Sequence, residues 1–185
     1  MTRSTLAAIL AALLVSACAT IPPSTGKDYW RMQGKIGVWY KDQRESGTLD
    51  WNQCGSRYFA IALRGPAGIG GIDIRYGPDG ATLEQGGEEQ RAPDAETLAA
   101  RSGWPIPVDS LRYWLRGRAN PGFPQQSQLS PEGKLELLQQ SGWRIQYSDY
   151  AENSGLPTRL EARRDSKRIK IIVWEWSSEA NCHHD

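Results

Sequence analysis

The chain has 185 residues with 22 basic and 21 acidic side chains, so its formal net charge is +1. This length suits one domain, and the balanced charge argues against a nucleic-acid-binding protein, which needs a concentrated basic surface. The chain has 19 Gly and 11 Pro, which predicts a turn-rich β protein. It has eight Trp and seven Tyr but only two Phe, so we expect aromatic rings that are partly buried and partly bonded to polar groups.

The N-terminus predicts a secretion signal and a lipid anchor. Residues 6–15 are apolar and follow Arg3, which is typical of a signal peptide, since a bilayer-spanning helix needs about 20 residues. The small residues at 15–17 directly before Cys18 resemble the bacterial lipobox. That resemblance implies removal of residues 1–17 and conversion of Cys18 into an N-palmitoyl, S-diacylglycerol cysteine. The alternative is an ordinary signal peptide in which Cys18 has no such role.

The organisation after the signal peptide follows from composition. Residues 19–27 contain two Pro together with Ser, Thr and Gly, which is typical of a flexible tether. We therefore assign residues 18–28 to a lipidated N-terminus and tether, residues 29–177 to the folded domain and residues 178–185 to a C-terminal tail.

The first half of the domain predicts strands. Alternating apolar residues, such as Phe59 and Ile61, indicate strands with one buried face. They occur in residues 33–40, 57–63, 71–76 and 81–85, with a turn at 77–80.

The middle of the chain changes to helical spacing. Asp94 is placed to cap a helix that ends near Ser102. A second helix is predicted over residues 108–116, with Leu111 and Trp114 on its apolar face.

The last third returns to strands, predicted over residues 134–140, 143–150, 157–164 and 168–176. Together the elements predict a mainly β domain, an antiparallel sheet with two inserted helices. One face of the last strand carries Ile169, Ile171 and Val173, and the other carries Ile172, Trp174 and Trp176. A sheet that is apolar on both faces is either packed on both or lines a cavity with one. Because two short helices offer little chain to cover both faces, we expect a cavity.

The chain offers little for enzyme chemistry. Its two histidines, His183 and His184, lie at the C-terminus, so a nucleophile in the domain has no neighbouring base of that type. The glycine-rich residues 65–71 join two predicted strands and open no helix, which argues against a dinucleotide site. We expect no enzyme, no cofactor and no metal site, because adjacent ligands such as Cys182 and His183 at a chain terminus rarely form one.

Two further features stay open. An exported chain meets an oxidising compartment, so Cys54 and Cys182 could form a disulfide. Basic residues surround a predicted hairpin turn: Arg163, Arg164, Lys167, Arg168 and Lys170. Such a cluster is either a solvated edge or a contact for an acidic partner or anionic lipid headgroups.

The order of several motifs resembles the LolB family of outer-membrane lipoprotein receptors. The strongest segment is residues 103–117, with the sequence GWPIPVDSLRYWLRG. Shorter segments are WRMQG at 30–34, LDWNQ at 49–53, RGPAG at 64–68, GWRIQY at 142–147, Leu156-Pro157 and Trp176. The resemblance covers residues 29–176, behind the lipobox-like segment.

The resemblance implies an incomplete antiparallel β-barrel, covered by short α-helices, that encloses an apolar cavity. It implies a receptor that is lipid-anchored in the outer membrane of a Gram-negative bacterium and faces the periplasm. This receptor would accept lipoproteins from a LolA-like periplasmic carrier, bind them through their acyl chains and insert them into outer-membrane lipid. We expect a monomer that needs no cofactor and binds no nucleic acid.

Two sets of site residues follow from the resemblance. The family's membrane-delivery loop, which presents an exposed leucine, corresponds here to Pro66, Ala67, Gly68 and Ile69. Ala67 occupies the leucine position, so we expect Ile69 to supply the apolar side chain; the alternative is a plain turn with Ile69 in the core. The acyl-chain cavity is expected to involve some of Ile36, Val38, Trp51, Phe59, Ile61, Leu111, Trp114, Trp143 and Ile145.

Two other functions compete with lipoprotein transfer. One is a lipid-anchored structural or assembly subunit of an envelope complex, which needs no internal ligand. The other is a lipocalin-like binder of a small apolar ligand. A cavity large enough for acyl chains would argue against the first, and transfer of a lipoprotein from its carrier would argue against the second.

Overall fold

The computed structural model describes residues 24–25, 28–66, 70–102 and 106–182. This part of the chain forms thirteen strands and two helices. The elements are β1 (Ser24–Thr25), β2 (Tyr29–Tyr40), β3 (Gln43–Cys54), β4 (Tyr58–Arg64), β5 (Gly71–Gly77), β6 (Gly80–Gln85), β7 (Glu88–Ala92), α1 (Ala95–Arg101), α2 (Val108–Trp114), β8 (Gln125–Leu129), β9 (Leu135–Gln140), β10 (Trp143–Tyr150), β11 (Pro157–Arg164), β12 (Lys167–Ser177) and β13 (Glu179–Ala180).

Eleven of the strands form one antiparallel sheet in the order β7-β6-β5-β4-β3-β2-β12-β11-β10-β9-β8. The two halves of the chain meet where β2 pairs with β12, for example Ile36 opposite Ile171. Among the described residues, the edge strands β7 and β8 are not hydrogen-bonded to each other. The predicted incomplete antiparallel barrel with two short helices is therefore confirmed.

One face of this sheet builds the core. In β4 the side chains of Phe59, Ile61 and Leu63 are buried while their neighbours are partly exposed, as the period of a strand requires. Buried residues from both halves of the sheet and from both helices form a single cluster. The sheet therefore curls around the helices. We call the face toward them the inner face and the opposite face the outer face.

Both predicted helices are present. Asp94 accepts a 2.7 Å hydrogen bond from the backbone N–H of Thr97 and so caps α1 as expected. Helix α2 ends at Trp114, slightly before its predicted end, and a turn follows. Gly117 closes that turn with a φ of +67°, a left-handed conformation that favours glycine.

The two ends of the domain are joined to each other. Strand β1 pairs with β13, Ser24 opposite Ala180. Cys54 at the end of β3 forms a disulfide with Cys182, and their Cα atoms are 5.7 Å apart. Part of the predicted tether and part of the predicted C-terminal tail are thus attached to the sheet.

The sequence pattern does not indicate the short strands β1 and β13, nor three strands of the eleven-stranded sheet. The inner face of β3 includes Gly47 and Gln53 beside Leu49 and Trp51, which weakens its apolar alternation. Strands β7 and β8 lie at the sheet edges and contain no buried side chain, so no alternation marks them.

The expectation for the last strand is wrong in one respect. Trp174 occupies a β-bulge in β12, and this extra residue shifts the alternation that follows it. Trp176 consequently lies opposite buried Met32 and turns toward the inner face. Ile172 and the exposed Trp174 are on the outer face, so they face away from the core and line no interior cavity.

Candidate functional site

The residues predicted to form the acyl-chain cavity all lie in the core. They belong to one buried cluster, and none of them is more than 5% exposed: Ile36, Val38, Trp51, Phe59, Ile61, Leu111, Trp114, Trp143 and Ile145. They come from β2, β3, β4, α2 and β10, so the fold brings together side chains from both halves of the chain. In this structure they pack against one another and against the helices.

A continuous row of aromatic rings crosses the inner face. We call Trp176, Trp30, Trp51, Phe59 and Tyr76 the aromatic row. Successive ring centroids are 5.6, 5.9, 5.5 and 5.1 Å apart. These distances are within the range of favourable ring contacts. The row therefore offers one apolar surface that spans β12, β2, β3, β4 and β5.

Two indole donors of this row, those of Trp51 and Trp176, are bonded within the protein. The indole Nε1 of Trp51 donates to Oε1 of Gln53 at 3.2 Å, and Nε1 of Trp176 donates to the carbonyl of Pro157 at 2.9 Å. Gln53, which is 4% exposed, donates in turn to the carbonyl of Gly55. Because these two donors already have partners, the rings of Trp51 and Trp176 require no hydrogen bond from a ligand.

Two clefts share Arg112 and Ser56 in their linings. The first has a volume of about 500 Å³, and its lining includes Tyr76 and Trp143. The second has a volume of about 100 Å³, and its lining includes Trp30. Arg112 lines both clefts, and its guanidinium donates a 3.1 Å hydrogen bond to the carbonyl of Ser56, in the turn between β3 and β4. Members of the aromatic row thus border both clefts.

Charged groups line the clefts. In the second, burial and the neighbouring Arg118 lower the pKa of Arg116. In the first, desolvation and the carboxylates of Asp109 and Asp94 raise the pKa of Glu96. Both clefts therefore combine charged side chains with a member of the aromatic row.

A buried polar residue, Gln140, attaches α2 and the following segment to β9. Its Oε1 accepts hydrogen bonds from Nε1 of Trp114 at 2.9 Å and from the backbone N–H of Asn120 at 2.8 Å. Its Nε2 donates to the carbonyls of Asn120 and Phe123 at 2.9 and 3.1 Å. Gln140 is 3% exposed, so these bonds supply the partners that water cannot.

The sequence contains only a weak signal for this network. Gln140 lies two positions after Leu138, where strand alternation assigns a side chain to the inner face. Tyr147 extends the network, because its hydroxyl donates to the carbonyl of Trp114 at 2.9 Å. Burial raises the pKa of Tyr147, which keeps the phenol protonated as a donor.

The predicted membrane-delivery loop joins β4 to β5. Pro66 is exposed, and the backbone N–H of Gly65 donates to the carbonyl of Gly70 at 3.4 Å. Residues 67–69 lie outside the described residues, and so does the predicted lipid anchor Cys18.

Neither a metal cluster nor a membrane-spanning helix is found in the described ranges. No group of three or more His, Cys, Asp or Glu residues there is arranged to hold a metal ion. Cys182 is bound in the disulfide, and residues 183–185 lie outside the described part. Both described helices are too short to cross a bilayer.

Similar proteins match this chain over nearly its whole length. Residues 28–176 match the family model for outer membrane lipoprotein LolB. A protein named outer-membrane lipoprotein LolB from Alkalilimnicola ehrlichii is 35% identical over 91% of this chain and 94% of its own. One with the same name from Francisella tularensis is 37% identical over 80% of this chain and 73% of its own. A LolA superfamily protein from Nitrosomonas europaea shares the fold, with a TM-score of 0.53 at 10% identity over 85% of this chain and 88% of that chain.

Proposed function

Because the chain belongs to the outer membrane lipoprotein LolB family, we propose that it receives lipoproteins from a LolA-like periplasmic carrier and inserts them into the outer membrane. Family membership also confirms the predicted localisation as a lipid-anchored protein of the outer membrane. LolB proteins bind and transport lipoproteins and are not a family of enzymes. The anchor is Cys18, and the acyl chains of the cargo bind to the inner face of the sheet.

The observation that carries the acyl-chain site is the aromatic row bordered by two clefts. An acyl chain contributes about 0.8 kcal/mol for each CH₂ that leaves water, so a receptor must offer it a long dry surface. The row supplies this surface, and the indole donors of Trp51 and Trp176 are already bonded within the protein. Members of the row border both clefts, which supports entry of a ligand from the rim toward the core.

Entry of an acyl chain requires α2 to move, because the cavity residues are almost completely buried. On the β9 side the helix is held by the buried bond from Trp114 to Gln140. On the opposite side it is held by the solvent-exposed bond from Arg112 to Ser56. Water can replace an exposed hydrogen bond at low cost but cannot replace a buried one. The helix therefore opens on the Arg112 side and stays attached through Gln140.

Transfer runs downhill in free energy, since the sequence contains no nucleotide-binding motif. The receptor binds the acyl chains more tightly than the carrier does, and the bilayer binds them more tightly than the receptor. Delivery is assigned to the loop at residues 66–69, where Ile69 supplies the apolar side chain that Ala67 is too small to provide.

A transfer assay tests the function. A carrier loaded with a lipoprotein is incubated with liposomes that hold the mature, lipidated chain, and the lipoprotein is followed from the soluble to the liposome fraction. We expect the lipoprotein to move to liposomes that hold the chain and to stay on the carrier when the liposomes lack it. Lipoprotein that remains on the carrier would favour a structural subunit or a binder of small apolar ligands.

Photocrosslinking tests the acyl-chain site. A photoreactive phenylalanine at Trp143 lies at the first cleft, and the same group at Leu129, which is 61% exposed on edge strand β8, is the matched control. We expect crosslinks to the acylated lipoprotein at position 143 and none at 129. A non-acylated form of the same cargo should give none at either position. Equal crosslinking at both positions would contradict the site.

A further inference from the structure

The outer face carries a group of aromatic and basic side chains that lipoprotein transfer does not use. Trp174 is 61% exposed at the bulge of β12, and the partly exposed Ile172 precedes it on the same face. Trp39 lies on neighbouring β2, opposite Arg168. We call the following set the basic–aromatic face: Lys35, Trp39, Arg44, Arg168, Lys170, Ile172 and Trp174.

The ring of Trp39 lies flat on this face instead of packing in the core. A Cβ atom at Gly37 would meet the ring at 2.9 Å, so the absence of a side chain there lets the indole lie over the strand. The guanidinium carbons of Arg168 and Arg44 are 4.6 and 5.3 Å from the ring centroid. These distances are typical of cation–π contacts. An aromatic ring and two cations are thus presented together on the surface.

Basic side chains outnumber acidic ones on the outer face of β3, β2, β12 and β11. The basic residues are Arg31, Lys35, Arg44, Arg159, Arg163, Arg168 and Lys170, and the acidic residues are Asp50, Glu161 and Glu175. Asp50 is paired with Arg31, and Glu161 with Arg163 and Arg168. Within the described residues, Lys35, Arg44 and Lys170 form no salt bridge, so their charges are available to a partner.

A short segment of chain joins the predicted lipid anchor to strand β1, which pairs with β13. Strand β13 follows β12 directly, and its Ala180 pairs with Ser24 of β1. Cys18 lies six positions before Ser24, so even a fully extended chain places it at most about 20 Å away. Trp174 lies six positions before Ala180 and is within a similar distance of it. Together the two segments keep Trp174 within about 40 Å of the predicted anchor, so the outer face is able to reach the membrane in which the chain is anchored.

We propose that the basic–aromatic face docks side-on against the anionic phospholipid surface of the membrane in which the chain is anchored. Trp174 and Ile172 enter the interfacial layer, where amphipathic rings are favoured. Lys35, Arg44 and Lys170 contact the phosphates, and each basic residue near an anionic surface strengthens binding about fivefold. This orientation leaves the inner face and α2 toward the periplasm. The inference rests on the proposed anchor at Cys18 but not on cargo binding.

Site-directed spin labelling tests the docking face on the mature, lipidated chain. Trp174→Cys provides a single labelling site, because Cys54 and Cys182 form a disulfide and Cys18 carries the lipid. The control is Leu129→Cys, whose native side chain is equally exposed at 61%. In vesicles of phosphatidylethanolamine and phosphatidylglycerol, we expect collisions with an aqueous nickel chelate to fall several-fold at 174 and to stay unchanged at 129. Equal accessibility at the two positions would overturn the proposal.

Charge-reversal variants test whether the partner of the basic–aromatic face is the lipid surface or another molecule. The double variant Lys35→Glu, Lys170→Glu should restore collisions between the label at 174 and the aqueous nickel chelate. High salt, or vesicles without phosphatidylglycerol, should have the same effect. Lys134→Glu, an exposed change near β9, is the matched control and should have no effect. A label at 174 that is protected only after the carrier is added would overturn the membrane assignment in favour of a protein partner. Lipoprotein transfer measured on the same samples reports separately on the proposed function.

Discussion

The indole Nε1 of Trp114 donates a 2.9 Å hydrogen bond to Oε1 of Gln140, and this bond joins helix α2 to strand β9 inside the core. The same oxygen accepts the backbone N–H of Asn120, so one side chain positions the helix and the segment that follows it. Gln140 therefore helps to place α2 over the inner face, together with the bond from Tyr147 to the carbonyl of Trp114.

Gln140→Leu should lower the free energy of unfolding by about 1–3 kcal/mol, because it leaves the indole of Trp114 and the backbone of Asn120 without partners. Urea unfolding followed by circular dichroism measures the loss. Gln139→Leu, on the exposed face of the same strand, should change it little. Similar losses in both variants would show that the network does not hold α2.

Loss of the disulfide should destabilise the domain more than loss of any single hydrogen bond. The bridge joins Cys54 to Cys182 across 128 positions, and removal of such a link typically costs about 2–5 kcal/mol. Cys54→Ser, Cys182→Ser and the double variant should be equally destabilised in urea. Reductant should lower the free energy of unfolding of the unmodified protein to that of the variants. Additive losses in the double variant would contradict the bridge.

Asp50 should contribute to acid sensitivity. Desolvation alone would raise the pKa of its carboxyl, but hydrogen bonds from Arg31, Gln33 and Asn52 hold that pKa below the ordinary value of 3.8. The unfolded state therefore binds the proton more readily than the folded state does. The stabilisation is complete above pH 3.8 and is lost as the pH falls below it toward the folded-state pKa.

Asp50→Asn should thus be less stable than the unmodified protein near neutral pH and should lose less of its remaining stability on acidification. Urea midpoints measured from neutral pH down to acid test the difference in slope. Asp79→Asn, an exposed change in the turn between β5 and β6, is the control. Parallel pH profiles for the unmodified protein and Asp50→Asn would contradict the assignment.

Arg112→Ala should speed the uptake of acyl chains, because it removes the exposed bond from α2 to the carbonyl of Ser56. Stopped-flow binding of a fluorescent lipoprotein measures the rate. Arg118→Ala removes a cation from the rim of the same second cleft and serves as the control. An unchanged rate in Arg112→Ala would show that the helix does not open on this side.

Ile69→Glu should leave the fold intact and impair release of cargo into the membrane, because a carboxylate resists entry into lipid. Ala67→Leu, which places a leucine where the sequence resemblance predicts one, should accelerate release. The transfer assay with liposomes measures both variants, and circular dichroism checks their folding. Normal delivery by Ile69→Glu would remove the loop from the mechanism.

Local signals account for the parts of the fold that the sequence predicts well. Apolar alternation at Phe59 and Ile61 marks β4, and a carboxylate at Asp94 marks the start of α1. Both are properties of neighbouring residues, so they are visible without a structure. Strands β7 and β8 have no such signal, because an exposed edge strand is held by backbone bonds that any side chain allows.

The candidate site also has some features that local sequence signals predict and others that they do not. Alternation and helical spacing identify side chains such as Trp51 and Trp114 as apolar and inward-facing, and all of the predicted cavity residues are buried. The aromatic row could not be predicted, because it depends on the register of five strands. Gln140 could not be assigned a role, because its partners lie 17 to 26 positions away in the chain.

The sequence by itself determined the family of this protein and its mainly β architecture, since each is encoded in short motifs or periodic patterns, and it predicts a lipid anchor at Cys18. Only the tertiary structure decided that Trp176 faces the core while Trp174 faces out, and that Cys182 meets Cys54. Those outcomes depend on one extra residue in a bulge and on distances between remote segments. Both are set by the packing of the whole sheet, which no local pattern of residues specifies.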